Sequence, residues 1–367
     1  MTNATVESVQ ASVYTVPTDV PEADGTASWS DTTAVVVTVT SEGVVGTGWT
    51  YGPAACASIV ETLLADVVTG ADPLGVPGSW SAMQRTVRNA TRPGVAGYAI
   101  SAVDVALWDL KARLLGLPLA DLFGRVREVV PVYGSGGFTT YTDEQLTEQL
   151  YRWAVEQHIP RVKIKIAEDW GKAEHRDLRR ISQARDVVGP DVELYVDANG
   201  GYQQKQAVRV MRAAQDQDVT WFEEPVSSDD LAGLATVRSA VDADVAAGEY
   251  GSDITYFRRM CSAGAVDCLQ IDATRCGGYS EWLRSAAVAA SYGLQVSGHC
   301  APHLHAPVAA ATPNLRHLEW FHDHVRVENL LFDGTLDPSG GSVTPHRSRP
   351  GHGLAVSVEA ERYRVTS

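Results

Sequence analysis

Three acids recur in this chain at one interval: Asp197, Glu223 and Glu249 stand 26 residues apart. Each ends a short apolar run, in Val196-Asp197-Ala198-Asn199, Trp221-Phe222-Glu223-Glu224-Pro225 and Ala247-Gly248-Glu249-Tyr250. Brought together, three carboxylates make an oxygen cage for a hard divalent cation, Mg²⁺ in preference to Zn²⁺. A lone acid is usually a surface charge, but a shared spacing at strand ends argues for metal. An EF-hand loop starting at Asp197 is excluded, because Tyr202 and Val208 stand where its glycine and glutamate are required.

Lys163-Ile164-Lys165 places two ammonium groups on one face of a strand, since side chains two apart point the same way. Each disfavours the other's charge, which predicts a lysine base working near neutral pH. Asp272 and His299 end consecutive apolar segments, and a carboxylate that fixes an imidazole tautomer yields a second acid/base. Glu319, in His317-Leu318-Glu319-Trp320, is placed to share a proton with a substrate carboxylate. These groups describe one reaction. A cation neutralises a carboxylate and stabilises the enediolate left when the α-proton departs, while lysine and histidine serve opposite faces.

The elements that must position these residues follow from periodicity. Short apolar strands alternate with helices from Val129 onward, which predicts parallel strands joined by crossover helices. An open sheet and a closed barrel share that pattern. The steps from Lys165 through Asp197, Glu223, Glu249, Asp272 and His299 to Glu319 are 32, 26, 26, 23, 27 and 20 residues, each about one strand-helix unit. Polar residues at successive strand ends converge only on a ring, so a TIM-like α/β barrel is expected. Before it, Val6–Tyr14, Ala34–Thr40 and Val44–Thr50 alternate as strands, and Ala99–Leu115 repeats Val103, Leu107, Leu110 and Leu114 as a helix. Gly46-Thr47-Gly48 and Gly134-Ser135-Gly136-Gly137 are read as turns, since neither fits a dinucleotide fingerprint.

The chain of 367 residues carries 30 basic and 45 acidic side chains, a formal charge of −15, which argues against nucleic acid or an anionic membrane as partner. Five cysteines without a C-x-x-C pair predict no disulfide framework, and no leader or membrane-spanning run is evident, so a cytoplasmic location is expected.

On these motifs the chain resembles the mandelate racemase subgroup of the enolase superfamily over nearly its whole length. The resemblance implies Mg²⁺ held by Asp197, Glu223 and Glu249, Lys165 as base with Lys163 tuning it, the Asp272–His299 dyad as second acid/base, and Glu319 as electrophilic partner. It further implies an α/β fold, a modified (β/α)7β barrel (126–325) under an α+β capping domain (1–125), with a C-terminal segment (326–367) returning to the cap. A small-molecule carboxylate substrate and a homo-oligomer follow from the same likeness. Specificity is expected from the cap, around a loop at 17–33 and near Tyr51.

Dehydration of an acid sugar to a 2-keto-3-deoxy acid and racemisation or epimerisation share the first step. Polar residues suited to gripping hydroxyls (Asn199, Arg275, His303, His305, His322, with Asp323 and His324) favour the dehydratase. Two His-x-His pairs, His303/His305 and His322/His324, raise a zinc hydrolase as a remote alternative, but the first barrel strand has no histidine. A non-catalytic binding protein is the other.

Overall fold

Eight parallel strands close on themselves. They are β4 (Val130–Gly136), β5 (Arg161–Lys165), β6 (Glu193–Asp197), β7 (Val219–Glu223), β8 (Asp244–Ala247), β9 (Cys268–Ile271), β10 (Gln295–Gly298) and β11 (Leu315–Phe321), with β11 pairing back onto β4. This computed structural model describes residues 4–365. A helix follows each of β4 to β10 and packs outside the ring. Alternation sorts the side chains: Leu194 and Val196 join the outer apolar core, while Tyr195 and Asp197 face inward. Inside, Tyr133, Tyr195, Trp221 and His317 make an aromatic floor, their ring centres 4.7 to 6.4 Å apart. The charged residues stand on that floor: Lys163 Nζ lies 5.2 Å from the Tyr133 ring, and Trp221 Nε1 donates to Glu223 at 2.9 Å.

The N-terminal region is a three-stranded antiparallel sheet, β1 (Ser8–Ala23), β2 (Ser28–Ser41) and β3 (Val44–Tyr51), covered by the helix Val95–Leu114. Val103, Leu107 and Leu110 of that helix are fully buried against β2 and β3. Gly46 and Gly48 are not in a turn. They lie within β3 where a Cβ would sit 2.3 Å from the carbonyls of Ala106 and Ala102, so their lack of a side chain sets the helix-to-sheet approach. Gly134 and Gly136 likewise belong to β4, pressed against Trp153 and Gln149.

The expected loop at 17–33 is also structured. β1 and β2 continue past a bulge between Pro17 and Glu22 as a ribbon that turns at Asp24–Ala27, with Asp24 Oδ1 accepting from the amides of Thr26 and Ala27. Thr139 anchors the ribbon tip to the barrel through the carbonyl of Asp24 at 2.8 Å. At the other end of the chain, Ser342–Val343 pairs with the start of β4, and Arg364 bridges to Tyr14 of β1. Among the described residues, no helix is long and apolar enough to cross a membrane.

Candidate active site

The C-terminal rim of the barrel gathers the charged residues. Lys163 and Lys165 lie on β5, Asp197 ends β6, Glu223 ends β7, and Glu319 lies within β11. Glu249, Asp272 and His299 follow β8, β9 and β10 by one or two residues. All are buried. Lys165 Nζ is 2.5 Å from Asp197 Oδ2; Lys163 Nζ contacts Glu223 Oε1 and reaches Glu319 Oε1 at 2.8 Å. Across the ring, His299 Nδ1 meets Asp272 Oδ2 at 2.8 Å, and its Nε2 lies 3.3 Å from Glu249 Oε2. Arg275 joins the acids of that side, 3.2 Å from Glu249 and 3.4 Å from Asp272.

The electrostatics depart from one expectation. Burial and then Lys163 press the Lys165 pKa down, but Asp197 together with Glu319 and Glu223 outweighs them and leaves it above its ordinary value. Lys163 is likewise pulled down by burial and held well above its usual range by Glu223, Glu319 and Asp197. The mutual lowering anticipated for the lysine pair is present and is overridden by the acids. Burial raises Glu223 to about 8 despite Lys163. Burial would also raise Asp272, but His299 and Arg275 hold it well below the carboxylate range. Burial lowers His299, and Glu249 with Asp272 and Glu319 more than restores it.

Glu224 is a site residue that strand alternation hid. A residue after an inward-facing Glu223 is expected to point outward, but φ of +37° turns Glu224 back under the rim. Its carboxyl is buried and pushed well above its usual range, by burial and then by Glu249, Asp197 and Glu223. Glu224 Oε1, Glu249 Oε2 and Asn199 Oδ1 are buried oxygens with no partner. Orphaned oxygens beside mutually repelling acids are the setting a hard divalent cation relieves, so these residues fit Mg²⁺. The tightest mixed cluster among the described residues is different: one donor atom each from His299, Cys300 and Glu319 lies within 4.8 Å of the others. Burial and Glu319 push the Cys300 thiol well above its usual pKa, so it stays protonated, and sulfur is too soft for Mg²⁺. The oxygen set is the better cation site.

Above these groups opens a cavity of about 410 Å³, within the range of small-molecule sites. Lys165, Asn199, Arg275 and His299 form its lower wall, and the β1–β2 ribbon with Tyr51 its upper one.

Two family models cover the chain. Residues 8–124 match the mandelate racemase / muconate lactonizing enzyme N-terminal domain, and residues 145–360 match the enolase C-terminal domain-like family. The chain belongs to this family. The L-talarate/galactarate dehydratase of Salmonella typhimurium is 32% identical over 304 residues, covering 82% of this chain and 73% of that protein. Its structure with Mg and L-lyxarohydroxamate superposes with a TM-score of 0.91 at 28% identity, covering 99% of this chain and 93% of that one. The 3,6-anhydro-alpha-L-galactonate cycloisomerase of Streptomyces coelicolor is 30% identical, over 96% of this chain and 98% of that protein. A mandelate racemase/muconate lactonizing enzyme-like protein from Rubrobacter xylanophilus is 48% identical with a TM-score of 0.95, over 98% of this chain and 100% of that one.

Three substrate-binding expectations are corrected for this enolase-superfamily chain. His305 accepts from the amide of Ala273 at 2.8 Å and faces the carbonyls of Cys300 and Ala301 at 3.0 and 2.9 Å, so it braces two strand-end loops. His303 accepts from the amide of Leu336 at 3.0 Å and packs on Trp320; burial lowers it to about 3. His322 sits behind the wall, 4.0 Å from Glu22. Neither His-x-His pair has both rings on the cavity, which removes the geometric basis for a zinc hydrolase. Asn199 and Arg275 do line it, with Asp323 and His324. Asp24, Trp29 and Asp31 line it from the 17–33 segment expected to set specificity, and Cys300 lines it as a residue not anticipated in the site.

Proposed function

We propose that this protein dehydrates an acid sugar, removing the α-proton of a carboxylate and expelling the β-hydroxyl to give a 2-keto-3-deoxy acid. The observation carrying the proposal is that Lys165 and His299, on separated strands, line one cavity beside a cluster of orphaned carboxyl oxygens. Asp197, Glu223 and Glu249 would hold Mg²⁺, with Glu224 and Asn199 beside them; the cation supplies positive charge at the substrate carboxylate.

Asp197 is the acid that most raises the Lys165 pKa; engaged by a cation, it would no longer hold the ammonium, and Lys165 Nζ, as the neutral amine, would take the α-proton. Beneath the cavity Lys163 Nζ holds Glu319 at 2.8 Å and Ser135 Oγ donates to it at 2.6 Å, which fixes the floor under the substrate carboxylate and offsets the charge of Glu319. Asp272 fixes the His299 ring, and Nε2 gives its proton to the β-hydroxyl, which leaves as water. The resulting enol tautomerises to the 2-keto acid. Racemisation or epimerisation is the second reading, favoured by the same observation, since two bases facing one α-carbon can exchange its proton on either side.

The test is ¹H NMR of the Mg²⁺-loaded protein with acid sugars in D₂O. Loss of H2 together with new 3-deoxy methylene signals supports dehydration. Loss of H2 with the skeleton retained supports the isomerase reading. No exchange across a broad panel overturns both.

A further inference from the structure

The cavity has two ends, and the far one is acidic. Residues 17–33, the ribbon forming its roof, contain Asp19, Glu22, Asp24 and Asp31 and no lysine or arginine. Asp24, Asp31 and, from beyond β11, Asp323 reach the cavity wall. The wall's lysine and arginine are already engaged: Lys165 with Asp197 at 2.5 Å, and Arg275 with Glu249 and Asp272 at 3.2 and 3.4 Å. Arg326 lies behind Asp323, paired with it at 2.7 Å, and does not line the cavity. His324 stacks on Tyr51 with ring centres 3.5 Å apart, its Nδ1 accepting from the Ala301 amide, and burial keeps the ring neutral.

On the dehydratase reading, on which the inference rests, we infer that the substrate is a monocarboxylic sugar acid whose far end is a neutral polyol, not a dicarboxylic one. A second carboxylate at the roof would face Asp31 and Asp323 with no free cation to meet it, while Asp24, at the ribbon tip over the β5–β6 rim, adds its charge nearer Lys165. Hydroxyls suit the same wall. Asp24 spends Oδ1 on the amides of its own turn and keeps Oδ2 for a donor, and Asp31 is exposed and ion-pairs with nothing among the described residues. Hydroxyl donation to a carboxylate is a charge-assisted bond, whereas a second anion meets like charge. The Salmonella relative, named for two dicarboxylic sugars, marks the contrast.

The experiment compares stereochemically matched pairs, gluconate with glucarate and galactonate with galactarate, by kcat/KM for 2-keto acid formation in Mg²⁺. The monoacid of a pair is expected to exceed its diacid by on the order of 100-fold. Asp31→Arg, at an exposed position, is expected to narrow the ratio by about tenfold, and Asp24→Asn by a smaller factor in the same direction. Equal or greater turnover of the diacid overturns the inference and leaves the dehydratase reading standing. A ratio unmoved by both substitutions removes the acidic roof as its cause, and the inference falls. If neither member of any pair exchanges H2 or turns over, the dehydratase reading itself fails and takes the inference with it.

Discussion

His299 Nδ1 lies 2.8 Å from Asp272 Oδ2, while Asp272 Oδ1 accepts from both the amide and the hydroxyl of Thr274, each at 2.7 Å. The carboxylate is therefore fixed at both oxygens and leaves the imidazole one orientation, with Nε2 toward the cavity. Asp272→Asn would keep Oδ1 on Thr274 and turn an NH₂ toward Nδ1, which then must accept. The ring is locked as the neutral Nε2–H tautomer and loses the charge that supports proton donation. We expect kcat to fall by roughly 10²–10⁴-fold with KM little changed. Deuterium exchange at the α-carbon through Lys165 should persist. A fall below tenfold would mean that His299 is not the acid.

Chelation tests the cation site through stability as well as turnover. A ligand bound only to the folded state stabilises it by about 2.7 kcal/mol at 100 times its Kd, so millimolar Mg²⁺ should raise the melting temperature of the chelated protein. Glu249→Gln should abolish that rise. Zn²⁺ should fail to restore turnover in the chelated protein, because it favours the nitrogen and sulfur donors at His299 and Cys300. A Mg²⁺-induced shift that survives in Glu249→Gln would place the cation elsewhere.

Gly48 tests the docking of the cap's sheet on its helix. A side chain there would start 2.3 Å from the Ala102 carbonyl and 2.5 Å from the Ala106 amide, both backbone atoms that cannot swing away. Gly48→Val should destabilise the protein by about 1–3 kcal/mol or more in urea unfolding. Gly78→Ala provides the control: it is exposed in the helix Val76–Thr86 with nothing within 4 Å of the new Cβ. It should be neutral or stabilising by about 0.5–1 kcal/mol. Similar losses in both would rule out close approach as the cause.

What sequence could reveal tracks how local each constraint is. A capping box is a local signal, and Thr142 and Gln145, three residues apart, form one on both sides. The barrel was legible because each strand-helix unit returns a polar residue to the same rim. His303 and His305 were misread because their partners, Leu336 and Ala273, are 33 and 32 residues away and are backbone amides, which carry no residue-type signal. Glu224 escaped because a single left-handed backbone step reverses alternation. Lys165 was misjudged in sign because Lys163 is its neighbour in sequence, whereas the stronger partner, Asp197, arrives from the next strand.

Glu328 gives the pH dependence a testable sign. It is fully buried, accepting from Trp49 Nε1 at 3.1 Å and from the amide of His303 at 3.4 Å. Burial raises its pKa from 4.5 to about 8 against those bonds. Between these values the folded state keeps a proton that the unfolded chain has released, so stability must fall as pH rises through the window. Below it both states are protonated and the contribution is intact; above it both are ionised and the loss is complete. The full shift corresponds to at most about 5 kcal/mol. Glu328→Gln, which keeps an acceptor and cannot ionise, should flatten the slope of stability between pH 5 and 8. Asp104, which burial raises to about 7, and Glu22, which burial raises to about 8, titrate in the same direction and should leave a residual slope. Urea midpoints of wild type and variant at pH 5, 6.5 and 8 decide the matter. Parallel curves would show that Glu328 is already ionised in the folded protein at neutral pH.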